Sequence, residues 1–293
     1  MATSHTTRRT VLSAFAAATA APLLTSAWGA GEAHASGIGD TYRSSTDLYT
    51  KLPDGEGTEY ARRYKRHEMT DNDIRRSFPY NRTMIMAMHG GGIEPGTSEL
   101  CLGIAGYDPG GLAVRPAGGP VYDYWMFEGL RKPSKSQPKD APSNRELHVT
   151  AKNCDDHVAL SMAASSLNVL SLHGCTAEQA GAPAKRPEAV VIGGRNTAFQ
   201  RYLTEELRGA GFQTVDGATK PDLNGDHVDN PCNRTMLGKG GQLEITTELR
   251  KSMFDGFTLK ERPTSTNDTF RRFTDACRAA IARLEAGPDQ VIL

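Results

Sequence analysis

The chain has 293 residues, 34 Lys+Arg against 34 Asp+Glu, five cysteines, 38% hydrophobic residues and a mean hydropathy of −0.48. That length buries a sizeable core, and a charge sum of zero excludes a protein that grips nucleic acid or an anionic membrane through bulk charge. Thirty glycines and sixteen prolines, about 16% together, stay below the level of low-complexity disorder.

The chain opens on Thr7-Arg8-Arg9-Thr10-Val11-Leu12, followed by an alanine-rich apolar stretch over 12–30 and the small-x-small pattern Ala33-His34-Ala35. A twin-arginine pair ahead of a moderately hydrophobic segment marks residues 1–35 as a twin-arginine (Tat) signal peptide, and hence a secreted protein. Pro22 and several small or polar residues dilute the stretch as a membrane anchor, and no later stretch approaches the length of a span. Cleavage takes Arg8, Arg9 and Glu32 with it, leaving 32 basic against 33 acidic residues.

Residues 36–80 are polar and weakly periodic, and are predicted to form an N-terminal arm with a short helix at 58–67. From residue 81 to 293 the pattern becomes regular. A buried strand at 84–88 meets the loop His89-Gly90-Gly91-Gly92. Thr97 or Ser98 then caps a helix through 100–105 that Gly106 stops. Strands at 121–127 and 147–149 flank a Pro/Ser/Lys-rich loop at 132–143. Asp155 or Asp156 opens a helix at 157–164, and a strand at 169–172 runs straight into His173-Gly174.

A strand at 189–192 is followed by a helix at 197–208, capped by Asn196 and ended by Gly211. A strand at 212–215 and a long loop at 220–239 lead to a strand at 242–246 that carries Glu244. The last helix starts near Asn267, with Phe270, Phe273, Cys277, Ile281 and Leu284 on one stripe. Strands alternating with helices predict a single α/β domain with an open, mixed or mainly parallel sheet and helices on both faces.

Ligands in such a sheet gather outside the carboxyl ends of the strands. His89 and His173 each follow a short apolar strand, Glu244 lies inside another, and Glu94 sits five residues past His89 across a glycine-rich loop. Two imidazoles and a carboxylate make a three-ligand set for a catalytic zinc. Other readings stand beside this one: each histidine as a core or turn residue, and Gly90–Gly92 as a phosphate-cradling loop, although no GK[ST] or GxGxxG follows. A glutamate inside an apolar strand needs a metal, an arginine partner or a catalytic purpose. None of the cysteines forms a CxxC pair, and Cys175 and Cys232, both beside candidate site residues, are expected to pair as a disulfide.

Five stretches carry a resemblance. His89-Gly-Gly-Gly-Ile-Glu94-Pro-Gly-Thr-Ser-Glu99, Asn144-Arg145-Glu-Leu-His148, Leu172-His173-Gly174-Cys175, Cys232-Asn233-Arg234 and Gly240-Gly-Gln-Leu-Glu244-Ile resemble, in order, the poly-γ-glutamate hydrolase family of zinc peptidases. That resemblance implies a carboxypeptidase-like fold, one zinc ion held by His89, Glu94 and His173, and Glu244 as general base and acid. It also implies substrate binding by Asn144-Arg145 or Asn233-Arg234, and His148 stands as a candidate either to support a ligand from behind or to touch substrate. The expected activity is zinc-dependent hydrolysis of γ-glutamyl amide bonds in a polyanionic or peptide substrate. The alternatives are a zinc amidase acting on another substrate, such as cell-wall peptide, and a secreted zinc-containing binding protein without turnover.

Overall fold

The apolar run at residues 84–88 becomes one of the central strands of a sheet. The computed structural model describes residues 39–67, 72–73, 76–77, 83–115, 119–132 and 142–290; the signal-peptide reading of residues 1–35 lies outside them. In chain order the first elements are α1 (Ser45–Lys51), β1 (Tyr60–Lys65) and a small antiparallel pair, β2 (Asn72–Asp73) and β3 (Arg76–Ser77). Next come β4 (Thr83–Gly91), α2 (Thr97–Ala105), β5 (Asp123–Gly129), α3 (His157–Ala164), β6 (Asn168–Cys175) and α4 (Ala177–Ala180). The chain continues through β7 (Val190–Gly194), α5 (Thr197–Gly209), β8 (Thr214–Asp216), β9 (Gly241–Thr246), α6 (Thr247–Ser252) and α7 (Asp268–Glu285).

Seven strands form one mixed sheet in the order β1-β5-β4-β6-β9-β7-β8. The central strands β5, β4, β6 and β9 are parallel; β1 is antiparallel to β5, and β7 to β9. Successive side chains of a strand alternate between faces. Ile85, Ala87, Leu170, Leu172, Leu243 and Ile245 therefore pack in one core with the apolar stripes of α2, α5 and α7. Met84, Met86, Met88 and Val169 join the opposite core beneath α1 and α3. Helices cover both faces, as the alternation of elements predicts. No described helix is long and apolar enough to cross a membrane.

Several local expectations change, among them the cap of α2, which is Gly96 rather than Thr97 or Ser98. Residues 58–67 hold the edge strand β1 rather than a helix, and the helix of this region is α1. Pairing along β5 satisfies the backbone of β1, while Tyr60 stacks between Tyr49 and Phe127 at ring distances of 5.4 and 5.3 Å. The segment at 147–149 is no strand: a 3-10 turn spans Asn144–Leu147, closed by a reciprocal capping box between Ser143 and Glu146. The disulfide is absent. All five cysteines are free and buried, because Cys175 packs with Ala180, Val191 and Leu223 while Cys232 belongs to the core under α1 and α3.

Candidate metal centre and cleft

Two neighbouring strands build the floor of the site. β6 and β9 run parallel with Ser171 opposite Gln242 and His173 opposite Glu244. Residues two apart share a face, so these four polar side chains line one side of an otherwise apolar sheet centre. His89 arrives from β4, whose register with β5 shifts between Ala87 and Gly90. Such a bulge re-aims the side chain beside it. The loop after it folds back, with the Glu94 N–H donating to the His89 carbonyl at 2.8 Å. Gly91 (φ 64°) makes that turn where a side chain would strike the Gly129 carbonyl.

His89, Glu94 and His173 each offer one ligand atom, and the three atoms lie within 4.8 Å of one another, all buried. The far side of each ligand is already engaged. His89 Nε2 donates to the Val149 carbonyl at 2.9 Å, His173 Nε2 meets Ser171 Oγ at 3.0 Å, and Glu94 Oε2 accepts from the Gly174 N–H at 2.7 Å. Partners of this kind fix the tautomer and orientation of metal ligands. The near atoms converge, with His89 Nδ1 3.1 Å from Glu94 Oε1 and 3.2 Å from His173 Nδ1. A proton on His89 Nδ1 serves only one of those neighbours at a time. A cation at the common point serves all three lone pairs, so the donor set fits a metal ion, and its two nitrogens and one carboxylate suit zinc.

The charges around the centre follow from burial and proximity. Burial opposes a charged His89, but Glu94 outweighs it and lifts the imidazole above its ordinary value. Burial and the facing His89 push His173 down to about 3. Glu94 stays ionised against its burial, drawn down to about 2 chiefly by His89. Glu244 is the reverse case: burial and the Glu94 charge push it well above the usual carboxylate range, against the pull of Arg250 and a 3.0 Å bond from Gln242 Nε2. Its other oxygen, Oε2, is buried with no hydrogen-bond partner among the described residues.

A cleft of about 380 Å³ opens beside Glu94 and is lined by Arg145, His148, Arg250, Lys251 and Phe257 among others. Sequence reasoning missed Arg250. Its guanidinium donates to the carbonyls of Ile245 (3.1 Å) and Pro95 (2.7 Å) and to Thr247 Oγ1 (3.1 Å), tying the loop after Glu94 to the end of β9. Gly174 has no side chain because a Cβ there would meet this guanidinium at 2.6 Å. Ser171 and Gln242 were missed as well, although Ser-x-His and Gln-x-Glu spacing inside strands puts each on the face of its partner.

The candidate substrate residues separate cleanly. Arg145 lines the cleft and pairs with no acidic residue among the described ones. His148 lines it too, its ring centroid 3.9 Å from that of His89. Asn144, by contrast, is a clamp: its amide donates to the Arg131 carbonyl at 2.7 Å and accepts from the Arg131 N–H at 2.9 Å. Asn233 is likewise committed, donating to the carbonyls of Gly225 and His227 and accepting from the N–H groups of Arg195 and Gly240. Arg234 is half-exposed and pairs with Asp229 at 3.1 Å. These three organise loops rather than line the cleft.

Fold and centre together define an α/β protein with a buried His-Glu-His cation site beside a second carboxylate, that of Glu244. Residues 60–276 match the poly-gamma-glutamate hydrolase family, and the chain belongs to it. It is 31% identical over 198 residues to the UPF0714 protein YndL of Bacillus subtilis (strain 168), covering 66% of this chain and 64% of YndL. Identity to the SPbeta prophage-derived UPF0714 protein YoqZ of the same organism is 32% over 189 residues, 64% of this chain and 58% of YoqZ. The chain thus spans about three-fifths of the length of these two relatives. Among solved structures, zinc-free apo YndL superposes with a TM-score of 0.61 at 27% identity, over 81% of this chain and 95% of that one. A bacteriophage poly-gamma-glutamate hydrolase shares the fold, with a TM-score of 0.65 at 24% identity over 85% of this chain and 99% of its own. The expected carboxypeptidase-like α/β architecture is borne out.

Proposed function

We propose that this protein is a secreted, zinc-dependent hydrolase of γ-glutamyl amide bonds, in poly-γ-glutamate or shorter γ-linked peptides, with Glu244 as its general base. One observation carries the reading: three convergent ligand atoms, each tied off on its far side, lie beside a buried glutamate with an oxygen that has no partner among the described residues. The zinc-free form of the related YndL supports zinc as the ion. Held by His89, Glu94 and His173, zinc supplies Lewis-acid polarisation of the scissile carbonyl and acidifies water to a pKa of about 7.

The chain's own residues do the rest. Glu244 takes a proton from the attacking water and passes it to the leaving amine, atoms it must approach to about 3 Å. Gln242 holds one Glu244 oxygen and so leaves the other for this exchange. Arg145, paired with no acidic residue among the described ones, offers its fork to a carboxylate of the substrate, and Lys251 adds a second cation on the cleft wall. A few placed cations therefore meet a polyanion on a chain whose net charge is zero.

The product sizes released from poly-γ-glutamate over time test the reading. Polymer shortening is expected to stop when a chelator strips the protein and to resume on adding zinc. Cleavage that persists in metal-free protein, or no shortening by protein with stoichiometric zinc, would overturn it. Export rests on Arg8-Arg9 and Ala33-His34-Ala35. The Arg8→Lys, Arg9→Lys pair is expected to keep the protein inside the cell, and undiminished export of that variant would remove this part of the proposal.

A further inference from the structure

Asp40 and His148, 108 residues apart, form a dyad at the cleft. His148 Nδ1 lies 2.8 Å from Asp40 Oδ1, and Asp40 Oδ2 accepts from the Thr150 N–H at 2.7 Å. A carboxylate only accepts, so Nδ1 carries the proton. The bonds from His148 and Thr150 outweigh burial and hold Asp40 down to about 2, so it is ionised throughout the neutral range. In that tautomer Nε2 is a bare lone pair, and no partner takes it among the described residues.

The cleft around this lone pair is otherwise rich in donors, with Arg145, Arg250 and Lys251 on its walls. An amide substrate brings one donor of its own at the scissile bond, its N–H. His148 packs directly against His89 and shares the cleft wall with Glu94, which places its ring beside the candidate metal ligands. We propose that His148 Nε2 accepts a hydrogen bond from the N–H of the scissile amide, and that Asp40 is a positioning residue that holds His148 in the accepting tautomer. This rests on the hydrolase reading above. His148 takes no proton in the step. The C–N bond breaks, the amide hydrogen stays on nitrogen, and the proton carried by Glu244 completes the leaving amine, while the water oxygen goes to the acyl carbon.

Asp40→Asn inverts the dyad without emptying it. Asn Oδ1 still accepts from the Thr150 N–H, so Nδ2 donates to His148 Nδ1 and forces the proton onto Nε2. The acceptor becomes a donor that confronts the amide N–H but suits an ester, which has oxygen at that place. The experiment compares kcat/KM on a γ-glutamyl anilide and the matching phenyl ester, for the zinc-loaded wild type, Asp40→Asn and His148→Ala. Loss of one hydrogen bond lowers the amide-to-ester ratio by about tenfold in both variants. Imidazole 15N shifts of the metal-free protein are expected to show Nδ1–H in the wild type and Nε2–H in Asp40→Asn. An unchanged ratio, or an Nε2–H tautomer in the wild type, would overturn the inference while leaving the hydrolase reading intact. A wild type that cleaves neither substrate would overturn both.

Discussion

Glu244→Gln is expected to lower hydrolysis of γ-linked glutamate by about 10²–10⁴-fold, the usual contribution of a positioned general base. The substitution keeps the shape of the side chain and the bond from Gln242, since Gln Oε1 can accept where Glu244 Oε1 does. It removes only the charge and the proton-accepting oxygen. Stability should move the other way. Burial raises the pKa of Glu244, so its ionised form costs the folded state free energy at any pH above the unfolded value. A neutral glutamine abolishes that cost, and metal-free Glu244→Gln should melt at or above the wild-type temperature. A site strained for activity shows this opposition. Initial rates and thermal melts on one preparation measure both, and a rate within threefold of wild type would remove Glu244 from the mechanism.

The second large effect lies behind the site rather than in it. Arg262 is 1% exposed, with Nε 3.2 Å from Glu99 Oε1 and its two Nη atoms on the carbonyls of Gly91 (2.7 Å) and Phe257 (3.2 Å). Arg262→Ala leaves Glu99, whose carboxyl burial already pushes upward against the pull of Arg262, buried without its cation, and its Oε2 has no partner among the described residues even in the wild type. Removing one member of a buried pair costs about 3–5 kcal/mol, and urea denaturation is expected to show a loss of that size. The double variant Arg262→Met, Glu99→Gln should recover most of it, because no charge is then left behind. Releasing the Gly91 carbonyl also loosens the loop between His89 and Glu94, so zinc affinity should fall in the single variant. A denaturation loss below about 1 kcal/mol would mean that water reaches Glu99 and that the pair is not structural.

What the sequence makes legible is local. Short apolar runs ending in a histidine announce β4 and β6 with His89 and His173 at their ends, and a carboxylate within an apolar strand marks Glu244. Cap residues place α3, α5 and α7 to within a residue or two, because an N-cap bond is made within one turn. The misses are long-range. Asp40 meets His148, Arg250 meets Pro95 and Arg262 meets Gly91 across 108, 155 and 171 residues, and no spacing rule reaches that far. Asn144 and Asn233 look like substrate groups because they stand beside arginines, yet backbone groups of distant segments consume their amides. The failed Cys175–Cys232 pairing has the same origin, since nearness to site residues in sequence does not bring two thiols into one packing cluster.

The strand order has a consequence for how the chain is assembled. β6 and β7 are consecutive long strands, yet β9 lies between them, and its residues 241–246 emerge some fifty positions after β7 ends at Gly194. Until then β6 and β7 expose unpaired edges that no sequence-adjacent strand can close, and exposed edges invite pairing with other chains. Glu244 is carried on that late-inserted strand, and His173 on the edge that waits for it. Completing the sheet and bringing Glu244 opposite His173 are therefore one event, and a ribosome-bound chain gains neither before the other.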